Sequence, residues 1–183
     1  MGARWEGSQH VSYDHRNDSS RGYRGTTACA AAGITYRQLD YWARTKLVEP
    51  SVRDARGSGS QRLYAFRDIL VLKVVKRLLD AGVSLQNIRT VVNQLHARGV
   101  DDLSHITLLS DGTTVYECTS PEEVVDLLQG GQGVFGIALG GAYREVEGSL
   151  AQLPGERIEV DAAPVPSIVM HDELAARRAR RAS

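Results

Sequence analysis

The stretch that most restricts the fold is TYRQLDYWARTKLVEP, Thr35 to Pro50, which follows the small-residue run TTACAAAGI. On a helix, Leu39, Trp42 and Ala43 share one face while Tyr36, Arg37, Asp40 and Arg44 share the other, as three- and four-residue spacing requires. A face that met only water would more cheaply carry Glu, Lys and Gln, so an aromatic and two arginines need another explanation. Upstream, Thr26 or Thr27 is the expected N-cap of a short alanine-rich helix, and Gly33 the tight turn that ends it. Two short helices joined at a glycine predict a helix-turn-helix, whose second helix touches bases in the DNA major groove with its N-terminal residues. Tyr36, Arg37 and Gln38 occupy that end.

Downstream, VEPSVRDARGSGSQRLYAF breaks at Pro50 and carries Gly57 and Gly59 between short extended pieces, which predicts a two-stranded wing. Arg53, Arg56 and Arg62 lie on or beside it, and Ser58, Ser60 and Gln61 add donors suited to phosphate oxygens. FRDILVLKVVKRLLDAG then predicts an apolar helix with Lys73, Lys76, Arg77 and Asp80 on one stripe. SLQNIRTVVNQLHARG predicts another, capped by Ser84 and buried through Ile88, Val91, Val92 and Leu95.

The chain has a formal net charge of +0, but its charges are sorted. Between Ile34 and Arg98 there are 12 Lys+Arg against 5 Asp+Glu; between Gly99 and Ala163 there are 2 against 12. A basic half joined to an acidic half predicts an anion-binding module coupled to a regulatory or partner-binding module. No apolar run approaches the roughly 18 residues of a membrane span, and the N-terminal segment lacks the apolar centre of a secretory signal, so a cytoplasmic, soluble protein is expected. Cys29 and Cys118 stand far apart without Cys or His at ligand spacing, so neither a disulfide framework nor a metal site is expected. Gly131, Gly133 and Gly136 match GxGxxG literally, but they follow a helix and open a strand, the reverse of a dinucleotide site, so no cofactor is expected. No Ser, His and carboxylate grouping supplies a nucleophile with its base, which argues against an enzyme.

Residues from about Tyr23 to about Leu95 resemble the winged helix-turn-helix domain of the MerR family of bacterial transcription regulators. The resemblance rests on LDYW, KLVEP after the second helix, SQRLY closing the wing, and LLDAGVSLQNIRTVV for the third and fourth helices, in that order and spacing. It implies a homodimer that binds a near-palindromic element in double-stranded promoter DNA, distorts it, and alters its recognition by RNA polymerase. It also implies that Tyr36 and Arg37 face bases or adjacent phosphates, Tyr41 and Arg44 the backbone, and Arg62 and Tyr64 the backbone from the wing, with Arg56 a looser match. Asp40 departs from the family pattern, which commonly has Arg there; a helical pair with Arg37 or Arg44 is the expected use of its carboxylate.

The second departure is larger. Where the family usually continues into a long dimerising helix, Gly99 interrupts the chain. HITLLSDGTTVYEC predicts a hairpin around Asp111-Gly112, and Ser120, Pro121 and Glu123 predict a capped helix ending at Gly130 or Gly131. VFGIAL reads as a buried strand, and AYREVEGSLAQL as a last helix with Tyr143, Val146, Leu150 and Leu153 on one face. The expected fold is therefore α+β: a tail over 1–22, the winged domain over 23–98, an acidic ββαβα domain over 99–154 that dimerises through its sheet edge or last helix, and a tail over 155–183 with a basic end. The sequence leaves open whether a small-molecule effector binds residues 99–154. It also leaves two other classes: an architectural or excisionase-like DNA binder, and an interaction protein whose acidic domain recruits a partner.

Overall fold

The computed structural model describes residues 21–54, 61–131 and 135–157. Strand β1 (Arg21–Arg24) leads into α1 (Gly25–Ala32), whose Ala28, Ala31 and Ala32 are buried and bring the next helix close. Gly33, at φ 74°, turns the chain in the left-handed conformation that side chains resist, and its N–H reaches the Cys29 carbonyl at 2.9 Å. Thr35 then opens α2 (Tyr36–Arg44) through a reciprocal cap: its Oγ1 accepts from the Gln38 N–H at 3.2 Å, while Gln38 Oε1 accepts from the Thr35 N–H at 2.9 Å. Leu39, Trp42 and Ala43 of α2 are buried, as the spacing predicts.

The start of α1 differs from expectation. Neither Thr26 nor Thr27 caps it; Arg24 stands at the cap position without a side-chain capping bond, and Thr27 is buried, its hydroxyl donating to the Pro154 carbonyl at 3.2 Å. Strand β1 is held from both sides, by β2 (Leu63–Tyr64) and β6 (Glu156–Arg157), so residues 21–22 and 155–157, expected in tails, belong to the fold. The remaining tail residues lie outside the described ones.

Helix α3 (Phe66–Asp80) is the centre of the core, with Ile69, Leu70, Val71 and Leu72 fully buried. Its start is fixed by Asp68, whose Oδ2 accepts from the Ser51 N–H and hydroxyl at 2.8 Å each and from the Ala65 N–H at 2.9 Å. Burial nevertheless pushes the Asp68 carboxyl above its ordinary value, because these bonds offset only part of the desolvation. Helix α4 (Leu85–His96) begins at Ser84 and buries Ile88, Val91, Val92 and Leu95. Arg67 closes its far end by donating to the Leu95, His96 and Arg98 carbonyls.

The short helix α5 (Val100–Leu103) precedes β3 (Thr107–Ser110), β4 (Val115–Cys118), α6 (Pro121–Gln129), β5 (Phe135–Ala138) and α7 (Leu139–Ala151). This is the expected ββαβα order. The sheet runs β4-β3-β5, antiparallel throughout. The Asp111 carboxylate shapes the hairpin loop by accepting from the Thr113 and Thr114 N–H groups at 2.8 and 2.6 Å. Strand β5 alternates rather than being buried throughout, with Ile137 inward and Gly136 and Ala138 exposed.

The two halves share one core. Leu139, Ala142, Val146 and Leu150 of α7 pack against α1 and α3, in one buried cluster that extends from Tyr23 to Leu150. A Cβ on Gly140 would lie 2.6 Å from the Ser104 carbonyl oxygen, so the first turn of α7 docks where only glycine fits. The apolar side of α7, one of the two surfaces expected at a dimer interface beside the sheet edge, is thus occupied within the chain. No described helix is long and apolar enough to cross a membrane.

Candidate nucleic-acid interface

Because α2 buries Leu39, Trp42 and Ala43, its opposite side is left to solvent: Tyr36 is 63% exposed and Tyr41 48%, with Arg37 and Arg44 also exposed. Gln38 is partly exposed and its carbonyl is engaged in the cap, so its side-chain amide N–H₂ is the group that faces outward chemistry. Arg53 pairs in a bridge with Leu63, its N–H and carbonyl bonded to the Leu63 carbonyl and N–H at 3.2 and 2.8 Å. This is the root of the wing. Its tip, including the expected contacts Arg56 and Ser60, lies outside the described residues.

Asp40 sits in the middle of the exposed side of α2 and binds two arginines. Its Oδ1 is 2.9 Å from Arg62 Nη1 and its Oδ2 2.8 Å from Arg44 Nη2. The expected helical pair with Arg44 is present; the link across to Arg62 on the wing side is not visible from helical spacing. The Arg62 hydrogen bond, aided by the Arg44 charge, holds the Asp40 carboxyl below the usual range and keeps it ionised. Arg62 also lies 3.5 Å from Asp54, so it is presented beside the wing root in a fixed pose.

Tyr64 corrects the expectation for its side chain. It is 0% exposed, in the core between β1 and α3, and its buried hydroxyl has no hydrogen-bond partner among the described residues. Burial pushes its ionisation up to about 12, so it stays a phenol. It borders a cleft of about 460 Å³ between the start of α1, α2 and the wing root, whose rim carries Arg24, Thr26, Tyr36, Asp40, Gln61 and Arg62.

The basic stripe of α3 also turns out to have another use. Glu145 of α7 receives Lys73 at 3.1 Å and Arg77 at 2.6 Å, and Lys76 pairs with Asp80. Burial alone would raise the Glu145 carboxyl, but the Lys73 and Arg77 hydrogen bonds outweigh it and hold the group below its ordinary value. Arg98 similarly meets Glu117 and Arg24 meets Glu156. Part of the charge sorting therefore joins the two halves of the chain. Its signal in the sequence was the opposite sign of the halves, but which residues meet depends on the packing of α7.

Among the described residues no group of three or more His, Cys, Asp or Glu is placed to hold a metal ion. Burial raises the thiols of Cys29 and Cys118. Two helices crossing at Gly33, a solvent-facing second helix bearing Tyr36, Arg37, Tyr41 and Arg44, and a wing root beside it define a DNA-binding helix-turn-helix transcriptional regulator. Residues 23–95 match the model of the MerR HTH family regulatory proteins. The chain is 67% identical over 167 residues to the HTH-type transcriptional regulators Mb1861 of Mycobacterium bovis and Rv1830 of Mycobacterium tuberculosis, covering 90% of this chain and 72% of each relative. It belongs to the MerR family. A solved MerR-family transcriptional regulator from Bacillus cereus aligns at 23% identity and a TM-score of 0.34, over 42% of this chain and 63% of that one.

Proposed function

We propose that the chain binds a near-palindromic element in double-stranded promoter DNA as a homodimer and thereby changes promoter use by RNA polymerase. The observation that carries this reading is the outward side of α2, where Tyr36, Arg37, Tyr41 and Arg44 project beside Arg62 while the apolar side is fully used by the core. Tyr36 and Arg37, in the first turn, take the bases or adjacent phosphates; Tyr41, Arg44 and Arg62 take the backbone. Arg56 and Ser60 of the wing add backbone contacts in the same reading. Lys73 and Arg77 are not assigned to DNA, because Glu145 holds them. Arg44, Arg56 and Arg62 from two protomers give about six phosphate contacts, and a log-log dependence of affinity on salt of about −5.

With the apolar side of α7 occupied, a second copy has α6 and the edge strand β4 available. Helix α6 buries none of its residues and leaves Val125 and Leu128 about half exposed beside Glu122, Glu123 and Asp126. The same helix supports a second reading, in which the acidic half recruits a partner protein and DNA binding serves to localise it. In vitro transcription from a bound promoter with purified polymerase separates the two. A change in transcript yield with this protein alone supports direct regulation; bound DNA with unchanged yield supports recruitment.

A further inference from the structure

Asp40 is an acid in the centre of a basic surface, and each of its oxygens already holds an arginine expected at the DNA backbone. Oδ1 meets Arg62 at 2.9 Å and Oδ2 meets Arg44 at 2.8 Å. The Asp40 side chain is one-third exposed, that of Arg62 22% and that of Arg44 66%, so the cluster lies at the surface and not beneath it. Around it stand Tyr36, Gln61, Arg24 and, on the wing side, Asp54 at 3.5 Å from Arg62.

Two consequences follow from the chemistry. A guanidinium carries five N–H donors, so Arg44 and Arg62 keep free donors while bound to Asp40 and are held in fixed poses. A phosphate reaching those donors comes within a few ångströms of the carboxylate, well inside the screening length of about 10 Å at moderate salt. Either it pulls an arginine away from Asp40, leaving a carboxylate next to a phosphate, or it binds against a pair already half neutralised. DNA whose phosphates fall in register with both arginines, while Arg37 meets its bases, compensates for this repulsion. Duplex in any other register does not.

We propose that Asp40 is a specificity-determining residue, which weakens binding to non-cognate DNA more than binding to the operator by holding Arg44 and Arg62 against misplaced phosphates. The inference rests on the reading of α2 as the DNA-reading helix. It makes the carboxylate a device acting against the wrong partner, at some expense of affinity for the right one.

The test uses the full-length Asp40→Asn protein, which keeps an oxygen for one arginine and removes the charge. Fluorescence anisotropy measures its affinity for an operator obtained by selection and for a scrambled duplex, between 50 and 200 mM salt. Affinity for scrambled DNA should rise about tenfold and for the operator by less than about threefold, and the salt slope should steepen by about 0.9 per protomer. Asp40→Glu, which keeps the charge, should retain the wild-type ratio. Equal changes on both duplexes with an unchanged slope, or no change on either, overturn the inference and leave Asp40 as a brace between α2 and the wing. A wild-type protein that does not distinguish the two duplexes instead overturns the DNA-reading assignment of α2.

Discussion

Leu139→Ala removes a side chain from the acidic half and should weaken the helix-turn-helix as much as its own surroundings. Leu139 is 0% exposed at the start of α7, and α7 packs against α1 and α3. Truncating a fully buried leucine costs about 2–5 kcal/mol, the lost transfer energy plus the cavity left behind. With a loss of about 3 kcal/mol and a urea dependence of about 1.5 kcal/mol per molar, the unfolding midpoint should fall by about 2 M. Trp42 is the natural reporter, since it lies in α2 at 2% exposure; the second tryptophan, Trp5, is replaced by Phe in the background. Its fluorescence transition should shift together with the helical circular dichroism. Two separated transitions, with the Trp42 midpoint unmoved, would refute the shared core and restore two independently folding domains.

Asp68 makes stability depend on acid in an unusual direction. Its folded carboxyl is raised above the ordinary value, so between the two values the folded state binds more protons than the unfolded one, and stability falls as pH rises through that window. Asp40, Asp111 and Glu145, held low, act in the opposite sense, so the comparison is with Asp68→Asn: wild type should lose stability relative to the variant as pH rises from the unfolded value, followed by urea midpoints. Replacing Val125 and Leu128 together by Asp should leave the thermal midpoint nearly unchanged, since neither is buried, and should convert a sedimenting dimer into a monomer. A dimer that persists would move the interface away from α6.

What the sequence disclosed was mostly local. The face of α2 follows from the spacing of Leu39, Trp42 and Ala43, the turn from Gly33, the stripe of α4 from Ile88 to Leu95, and the hairpin from Asp111-Gly112, because each is decided within one turn or one loop. What it concealed depends on distant partners. Strand β1 exists because Tyr23 and Arg24 pair with Tyr64 and Leu63, and Arg21 and Gly22 with Arg157 and Glu156. Thr27 looks like a cap but lies under Pro154. Tyr64 follows the polar, basic run Ser60, Gln61 and Arg62 by only two positions, and only the packing of β2 under α1 turns it inward. The lysine stripe of α3 has the periodicity of a solvent or DNA face, and nothing in its own sequence points to Glu145, 68 residues beyond Arg77. At the candidate site, the same limit applies to Asp40: its pair with Arg44 is one helical turn away, while its pair with Arg62 requires the wing to fold back beside α2.

In the function proposed above, the exposed side of α2 reads a DNA sequence. Selection of bound duplexes from a random library, carried out in parallel with wild type and Arg37→Ala, tests it most directly. Wild type should enrich one motif with two-fold symmetry, and Arg37→Ala should lose about 1–3 kcal/mol on that motif while relaxing preference at the bases it faces. No enriched motif for wild type, or the same motif bound equally well by the variant, would mean that Arg37 on α2 does not read bases.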